Sequence, residues 1–278
     1  MPLDLNAIGK PFQPTSYEYT DRDVMLYALG VGAGVDDLGF TYEKNLKVLP
    51  TFAVIPAFPA VMGMGRVITF NPAMLLHGEH RIELRGPIPT SGKLTTTATV
   101  SAIYDKGSGA LVVVDAETKD ERGQALFTNS FGAFIRGEGG FGGERGPSAS
   151  SRNVPPERAP DATVEMTTSP SQALLYRLSG DRNPLHADPD FAKLGGFDRP
   201  ILHGLCTFGH VGRAVLKTFC GNDPAHFKAF EARFTGVVFP GDTIITQMWK
   251  ESATRVLVQA KTQRGDVVLA NAAVTIAG

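Results

Sequence analysis

The chain has 278 residues, 42% of them hydrophobic and 20% charged, and its 27 basic side chains nearly balance 28 acidic ones. That apolar fraction suffices for a core and argues against extensive disorder, while the near-neutral balance lacks the basic excess of a protein that binds nucleic acid through phosphates. No apolar run reaches the roughly 18 residues of a membrane span, MPLDLNAIGK is not a secretory signal, TIAG is not a peroxisomal tripeptide of the Ser-Lys-Leu kind, and the two cysteines, Cys206 and Cys220, make no disulfide scaffold and indicate a reducing compartment.

In chain order, the first predicted element is a short helix over Asp21–Leu29 with an acidic first turn. Strands are predicted at His80–Leu84, Lys93–Ile103, Leu111–Asp120 and Gln124–Ile135, separated by Gly-containing turns. Residues 136–160 then break the globular pattern: six glycines fall between 137 and 146, and prolines follow at 147, 155, 156 and 160. This composition reads as a linker between halves 1–135 and 161–278. The second half predicts a short helix over Pro170–Leu178 and a longer buried one over Gly204–Phe219. Strands follow at Phe227–Phe234, Thr243–Glu251, Arg255–Gln263 and Val267–Ile276. The fold class is α+β, an antiparallel sheet with a helix against one face. The halves also resemble each other: from Leu26 to Gly92 and from Leu175 to Gly241 the separation is 66 residues, with similar text at both anchors. That argues for a duplicated unit.

The densest polar cluster is Ser179-Gly180-Asp181-Arg182-Asn183-Pro184-Leu185-His186-Ala187-Asp188. Gly180 and Pro184 make it a turn, and a turn can aim a carboxylate, a carboxamide and an imidazole at one point. Asp181 and His186 suit an acid/base pair handling one water, with Asn183 orienting it. The alternatives are a polar surface turn in which Asp181 caps backbone groups, and a metal site using Asp181, His186, Asp188 and Asp190. Where the second half carries this cluster, the first has Gly30-Val31-Gly32-Ala33-Gly34-Val35-Asp36, without the acid, amide or imidazole. If the unit is duplicated, that half is freed for binding. The run lacks the preceding strand and the third glycine of a dinucleotide loop.

Arg199-Pro200-Ile201-Leu202-His203-Gly204 leads into the long helix. Unpaired N–H groups at a helix start, with no side chain on Gly204, can receive a thioester oxyanion. A plain helix start with a buried, hydrogen-bonded His203 is the other account. His77 and His80, three apart on a strand, should face opposite ways and share no metal. Lys106 lies in a hairpin turn, Asp105–Gly109, where it meets a phosphate or faces water.

Tyr176-Arg177-Leu178-Ser179-Gly180-Asp181-Arg182-Asn183-Pro184-Leu185-His186 resembles, nearly position for position, the hydratase 2 motif of MaoC-like (R)-specific enoyl-CoA hydratases. Leu49-Pro50-Thr51-Phe52, Leu75-Leu76-His77-Gly78-Glu79 and the stretch from Phe234 to Thr243 are similar to type 2 hydratases, including the hydratase unit of peroxisomal multifunctional enzymes. The resemblance implies a double hot-dog fold and hydration of trans-2-enoyl-CoA to (3R)-3-hydroxyacyl-CoA. It implies Asp181 and His186 as the acid/base pair, Asn183 as the orienting amide and Gly204 as the oxyanion donor. Acyl-CoA contacts are implied at His77, Gly78, Lys106, Arg182, Pro184, Leu185 and Phe234, with the first half holding the acyl tail. No metal and no cofactor beyond the CoA of the substrate are expected, nor a nucleic-acid or membrane partner. A homodimer is expected, cytoplasmic in a bacterium or peroxisomal in a eukaryote. The competing functions are a dehydratase of carrier-protein thioesters, a hot-dog thioesterase and a non-catalytic acyl-CoA-binding module.

Overall fold

The computed structural model describes residues 3–148 and 152–278. The first half runs β1 (Thr15–Tyr19), α1 (Asp21–Gly30), α2 (Leu38–Thr41), α3 (Val54–Met62), β2 (Leu75–Leu84), β3 (Gly92–Asp105), β4 (Gly109–Lys119) and β5 (Ala125–Arg136). The second runs β6 (Ala162–Thr167), α4 (Gln172–Tyr176), α5 (Pro189–Leu194), α6 (Gly204–Phe219), β7 (Phe227–Phe234), β8 (Thr243–Lys250), β9 (Arg255–Thr262) and β10 (Val267–Ile276). The alternation that predicts the strands also packs them. Along β3, Leu94, Thr96, Ala98 and Val100 are buried, and the residues between them face outward. At the start of α1 the Thr20 N–H donates to the Asp23 carboxylate at 2.8 Å, satisfying a donor the helix cannot.

All ten strands form one sheet in the order β1-β3-β4-β5-β2-β7-β10-β9-β8-β6. The second five mirror the first five, as a duplicated unit would. The halves join at the antiparallel pair β2–β7, from Glu79↔Arg233 to Glu83↔Ala229. Each half wraps its strands around one helix: α3 lies against β3 and β4, and α6 against β7, β8 and β10. This is the double hot-dog arrangement.

Five elements fall outside the sequence prediction, two of them the short helices α2 and α5. The edge strands β1 and β6 pair with residues remote in sequence (Thr15↔Thr96, Ala162↔Met248), so no hairpin turn announces them. Helix α3, the counterpart of α6, contains Pro56 and Pro59, which break the helical sequence signal.

Helix α6 is buried from Leu205 through Leu216. Such burial requires close neighbours on every side, and the first half supplies one of them. A Cβ on Gly209 would lie 2.4 Å from Val31 Cγ1, and one on Gly32, at φ +78°, would lie 2.6 Å from His210 Nε2. The Gly30–Gly34 run is therefore a packing surface for α6. Arg213 of α6 donates to the Val31 carbonyl at 2.8 Å and pairs with Asp37 at 2.6 Å, both largely buried. Gln172 donates to the carbonyls of Leu29 and Gly30 at 3.1 and 2.6 Å, binding α4 to the end of α1.

The Gly- and Pro-rich segment is strapped to the sheet. The Asp105 carboxylate accepts from the N–H groups of Gly107, Gly140 and Gly142, each at 2.8 Å. Phe141 of this linker segment packs against the core. On the C-terminal side of the segment, Asn153 donates to Glu231 and to the Asn271 carbonyl, and Trp249 Nε1 donates to the Arg158 carbonyl.

Gly209→Ala should destabilise the protein by about 1–3 kcal/mol, the usual cost of overpacking a filled core. Adding Val31→Ala should recover part of that loss in the same denaturation experiment, because the two side chains compete for one volume. Full additivity of the two substitutions would refute the contact.

Candidate active site

Helix α4 ends in a 3₁₀ turn over Arg177–Ser179, and Gly180 reverses the chain at φ 143°. Two side-chain-to-backbone bonds shape the turn beyond it. Asp181 Oδ1 accepts from Asn183 N at 3.1 Å, and Asn183 Oδ1 accepts from Leu185 N at 3.0 Å. The turn leaves Arg182, Asn183 and Pro184 exposed and sends His186 inward, where it is buried. The Arg182 carbonyl accepts from Arg177 Nη2 at 3.2 Å.

His186 Nδ1 lies 2.9 Å from the Ile201 carbonyl. A carbonyl only accepts, so Nδ1 carries the proton and Nε2 presents its lone pair in the neutral ring. Burial lowers the His186 pKa and the neighbouring Arg177 adds to this; the Ile201 bond and the Asp181 charge oppose it. His203 stacks on His186 with ring centroids 3.7 Å apart and planes 27° apart. Its Nε2 donates to the Asp181 carbonyl at 3.1 Å. Its Nδ1 is buried with no hydrogen-bond partner among the described residues. Burial, with His186 alongside, pushes the His203 pKa down to about 3.

Gly204 opens α6 and is exposed, although the next twelve residues are buried. A first-turn N–H has no acceptor within its own helix, so this one is free to face a ligand. A Cβ at 204 would lie 3.3 Å from the Phe234 ring, which packs across the helix start. The Phe234 ring in turn meets the edge of His77 at 5.0 Å. Contacts thus link Asp181, His186, Gly204, Phe234 and His77 in one neighbourhood. Phe131 stacks on His77 at 5.2 Å, and burial lowers the His77 pKa to about 4.

The expectation that His77 and His80 face opposite ways is overturned. Pairing of β2 with β5 jumps from His77↔Ala133 to Glu79↔Gly132, which leaves Gly78 as the extra residue of a β-bulge. The bulge brings both imidazoles to one face, with centroids 5.3 Å apart. Lys106 lies in the expected turn between β3 and β4. Its Nζ donates to the carbonyls of Arg145 and Pro147 in the strap, and no contact joins it to the His186 neighbourhood among the described residues.

The metal alternative changes composition. Asp188 caps α5 by accepting from Asp190 N and Phe191 N, and Asp190 pairs with Lys193 at the surface. Among the described residues, the group close enough to share an ion is Asp181, His186 and His203, with one donor atom from each within 4.8 Å of the others. A zinc ion needs nitrogen lone pairs converging at about 2.0–2.1 Å. Stacked rings aim theirs side by side, so the geometry suits proton handling better. The sequence reading missed His203 as a partner of His186, the Ile201 carbonyl and Arg177. A backbone carbonyl carries no residue signature, and the stacking joins residues 17 apart in sequence.

A family profile described as MFE-2 hydratase 2 N-terminal domain matches residues 17–137, and one described as MaoC like domain matches residues 151–272. The chain is similar to a Dictyostelium discoideum protein named probable enoyl-CoA hydratase 2, with 46% identity over 95% of this chain and 93% of that one. It is also 46% identical to the Mus musculus peroxisomal multifunctional enzyme type 2, over 98% of this chain but only 38% of that longer protein. The crystal structure of a MaoC-like dehydratase from Phytophthora capsici matches with a TM-score of 0.90 at 38% identity, over 99% of this chain and 98% of that one. Among the described residues no helix is long and apolar enough to cross a membrane.

The buried histidines make stability depend on pH. His77 and His210 are held near 4 and His203 near 3, and His80 and His186 are lowered too, with burial the first cause in each. In the unfolded chain a histidine titrates at about 6.5. Below that pH the unfolded chain binds protons that the native state rejects, so this stability is complete above pH 6.5 and lost as pH falls toward 4. The melting temperature measured by calorimetry should drop steadily across that window. A flat profile there would contradict burial of neutral imidazoles.

Proposed function

The chain belongs to the family of MaoC-like type 2 enoyl-CoA hydratases, and on that premise we propose that it adds water reversibly to trans-2-enoyl-CoA, in β-oxidation, to give (3R)-3-hydroxyacyl-CoA. The observation that carries the reading is the convergence of a neutral imidazole and a carboxylate, within 4.8 Å, on a turn anchored to the exposed helix start at Gly204.

The thioester makes C3 electrophilic. Water bound between Asp181 and His186 attacks C3 while His186 Nε2 takes its proton, a transfer open to it because Nδ1 is already committed to Ile201. The π electrons move toward the thioester oxygen, which accepts from the Gly204 N–H at the positive end of α6. The enolate then takes a proton at C2 from the acid/base pair, on the face from which water came. One H and one OH have been added, and the side chains return to their starting state. Asp181 stabilises the imidazolium that forms in between. Asn183 closes the turn through Leu185 N and keeps its amide N–H₂ at the exposed rim for the water or substrate. His77, Gly78, Phe234 and Leu185 are assigned to the acyl thioester, with Arg182 and Pro184 at the rim. The CoA belongs to the substrate, and no further cofactor is assigned. Exposed edge strands β1 and β6 support assembly as a homodimer, which sedimentation velocity reads directly.

The test is incubation of the purified protein with crotonyl-CoA and with a longer trans-2-enoyl-CoA, following loss of the conjugated thioester absorbance. Product oxidation by an (R)-specific hydroxyacyl-CoA dehydrogenase reads the stereochemistry. Release of free thiol would indicate a thioesterase instead, and stable absorbance a binding module or a carrier-protein substrate. Asp181→Asn and His186→Ala should each lower kcat by about 10²-fold or more in folded protein. The acid limb of kcat/KM should fall below the ordinary imidazole value of about 6.5, because His186 is lowered by burial. A variant with normal rate would remove that residue from the reaction.

A further inference from the structure

We infer that His203 is the positioning residue of this site: by donating Nε2–H to the Asp181 carbonyl and stacking on the His186 ring, it holds the acid and the base in one fixed relation. The inference rests on the assignment of Asp181 and His186 to proton transfer. It concerns a group that touches both of them and that the reaction does not consume.

Three observations carry it. The Nε2 to carbonyl distance is 3.1 Å, so the backbone of Asp181 is held from across the turn, from a residue 22 positions away. The stacked rings lie 3.7 Å apart, which closes one face of His186 and leaves its Nε2 edge for the water. His203 is 1% exposed and backed by the Tyr176 ring at 4.9 Å, so it has little room to turn. The charged and titratable groups facing the pair are Asp181 and Arg177 from the turn and Tyr176 from α4. The segment is compact in its effect. Ile201 fixes the His186 tautomer, His203 fixes the plane of the His186 ring and the backbone of Asp181, and Gly204 supplies the N–H.

Burial keeps His203 neutral through the working pH range. It therefore acts as a fixed donor and a fixed wall, not as a second base. Its Nδ1 is buried without a hydrogen-bond partner among the described residues.

The experiment compares His203→Phe, His203→Gln and His203→Ala with the wild type. Phe keeps a ring for stacking and loses the donor. Gln keeps an N–H donor and loses the stack. Each should lower kcat by about 10-fold or more, with KM within about 2-fold, since misplacement of a reacting group falls on the chemical step. The Ala variant should lose more, and its acid limb in kcat/KM should move up toward the ordinary imidazole value, because water then reaches the open face of His186. Variants that melt earlier but keep the wild-type kcat and pH profile would show a purely structural histidine and overturn the inference. Should the variants fail to fold, ¹⁵N shifts of the wild-type rings decide it: His203 protonated on Nε2 and His186 on Nδ1 is the expected pair, and any other pairing overturns it. Absence of hydratase activity in the wild type would instead defeat the underlying functional proposal.

Discussion

The bond from His186 Nδ1 to the Ile201 carbonyl, 2.9 Å long, ties the 181–186 turn to the start of α6, and the rest of the site depends on it. Without that acceptor the imidazole would be free to choose its tautomer, and the lone pair would have no fixed direction. With it, one short segment fixes the site. The Ile201 carbonyl orients the His186 ring, His203 stacks on that ring and holds the Asp181 backbone, and Gly204 opens the helix. The arrangement is possible because α6 is buried along twelve consecutive residues yet surfaces at its first. A buried helix has little freedom to shift, so groups attached to its start inherit its rigidity.

That burial is supplied by both halves. The first half carries no counterpart of the acid, amide and imidazole, and its equivalent Gly-rich run lies against α6 instead. Bulky residues there would push the helix away from the Arg213–Asp37 pair and from the Gln172 bonds to the end of α1. The first half also reaches the site through the bulge at Gly78. One extra residue in β2 turns His77 and His80 to the same side and places His77 beside Phe234. The first half thus packs the helix that opens at Gly204 and sets His77 beside Phe234 at its start.

Legibility from sequence followed the range of the interactions involved. The eight predicted strands and the helix Gly204–Phe219 depend on local alternation and periodicity, and the structure places them within a few residues of their predicted bounds. The short edge strands pair with partners roughly eighty positions away in sequence and left no local mark. The crowding of Asp181, Asn183 and His186 was visible because one turn holds all three. The side chain of Asn183 nevertheless spends its oxygen on Leu185 N, a detail that depends on the turn's geometry.

By itself, the sequence determined the α+β class, the two halves, the helix that opens at Gly204 and the family to which the hydratase motif belongs. Each follows from short-range pattern or from residue identity in one continuous stretch. Only the tertiary structure decided that His203 stacks on His186, that a carbonyl at 201 sets the imidazole tautomer, that a bulge aligns His77 with His80, and that Lys106 is held by the strap. Those four depend on the meeting of segments distant in sequence, or on backbone atoms that every residue shares, and neither leaves a trace in the order of side chains along the chain.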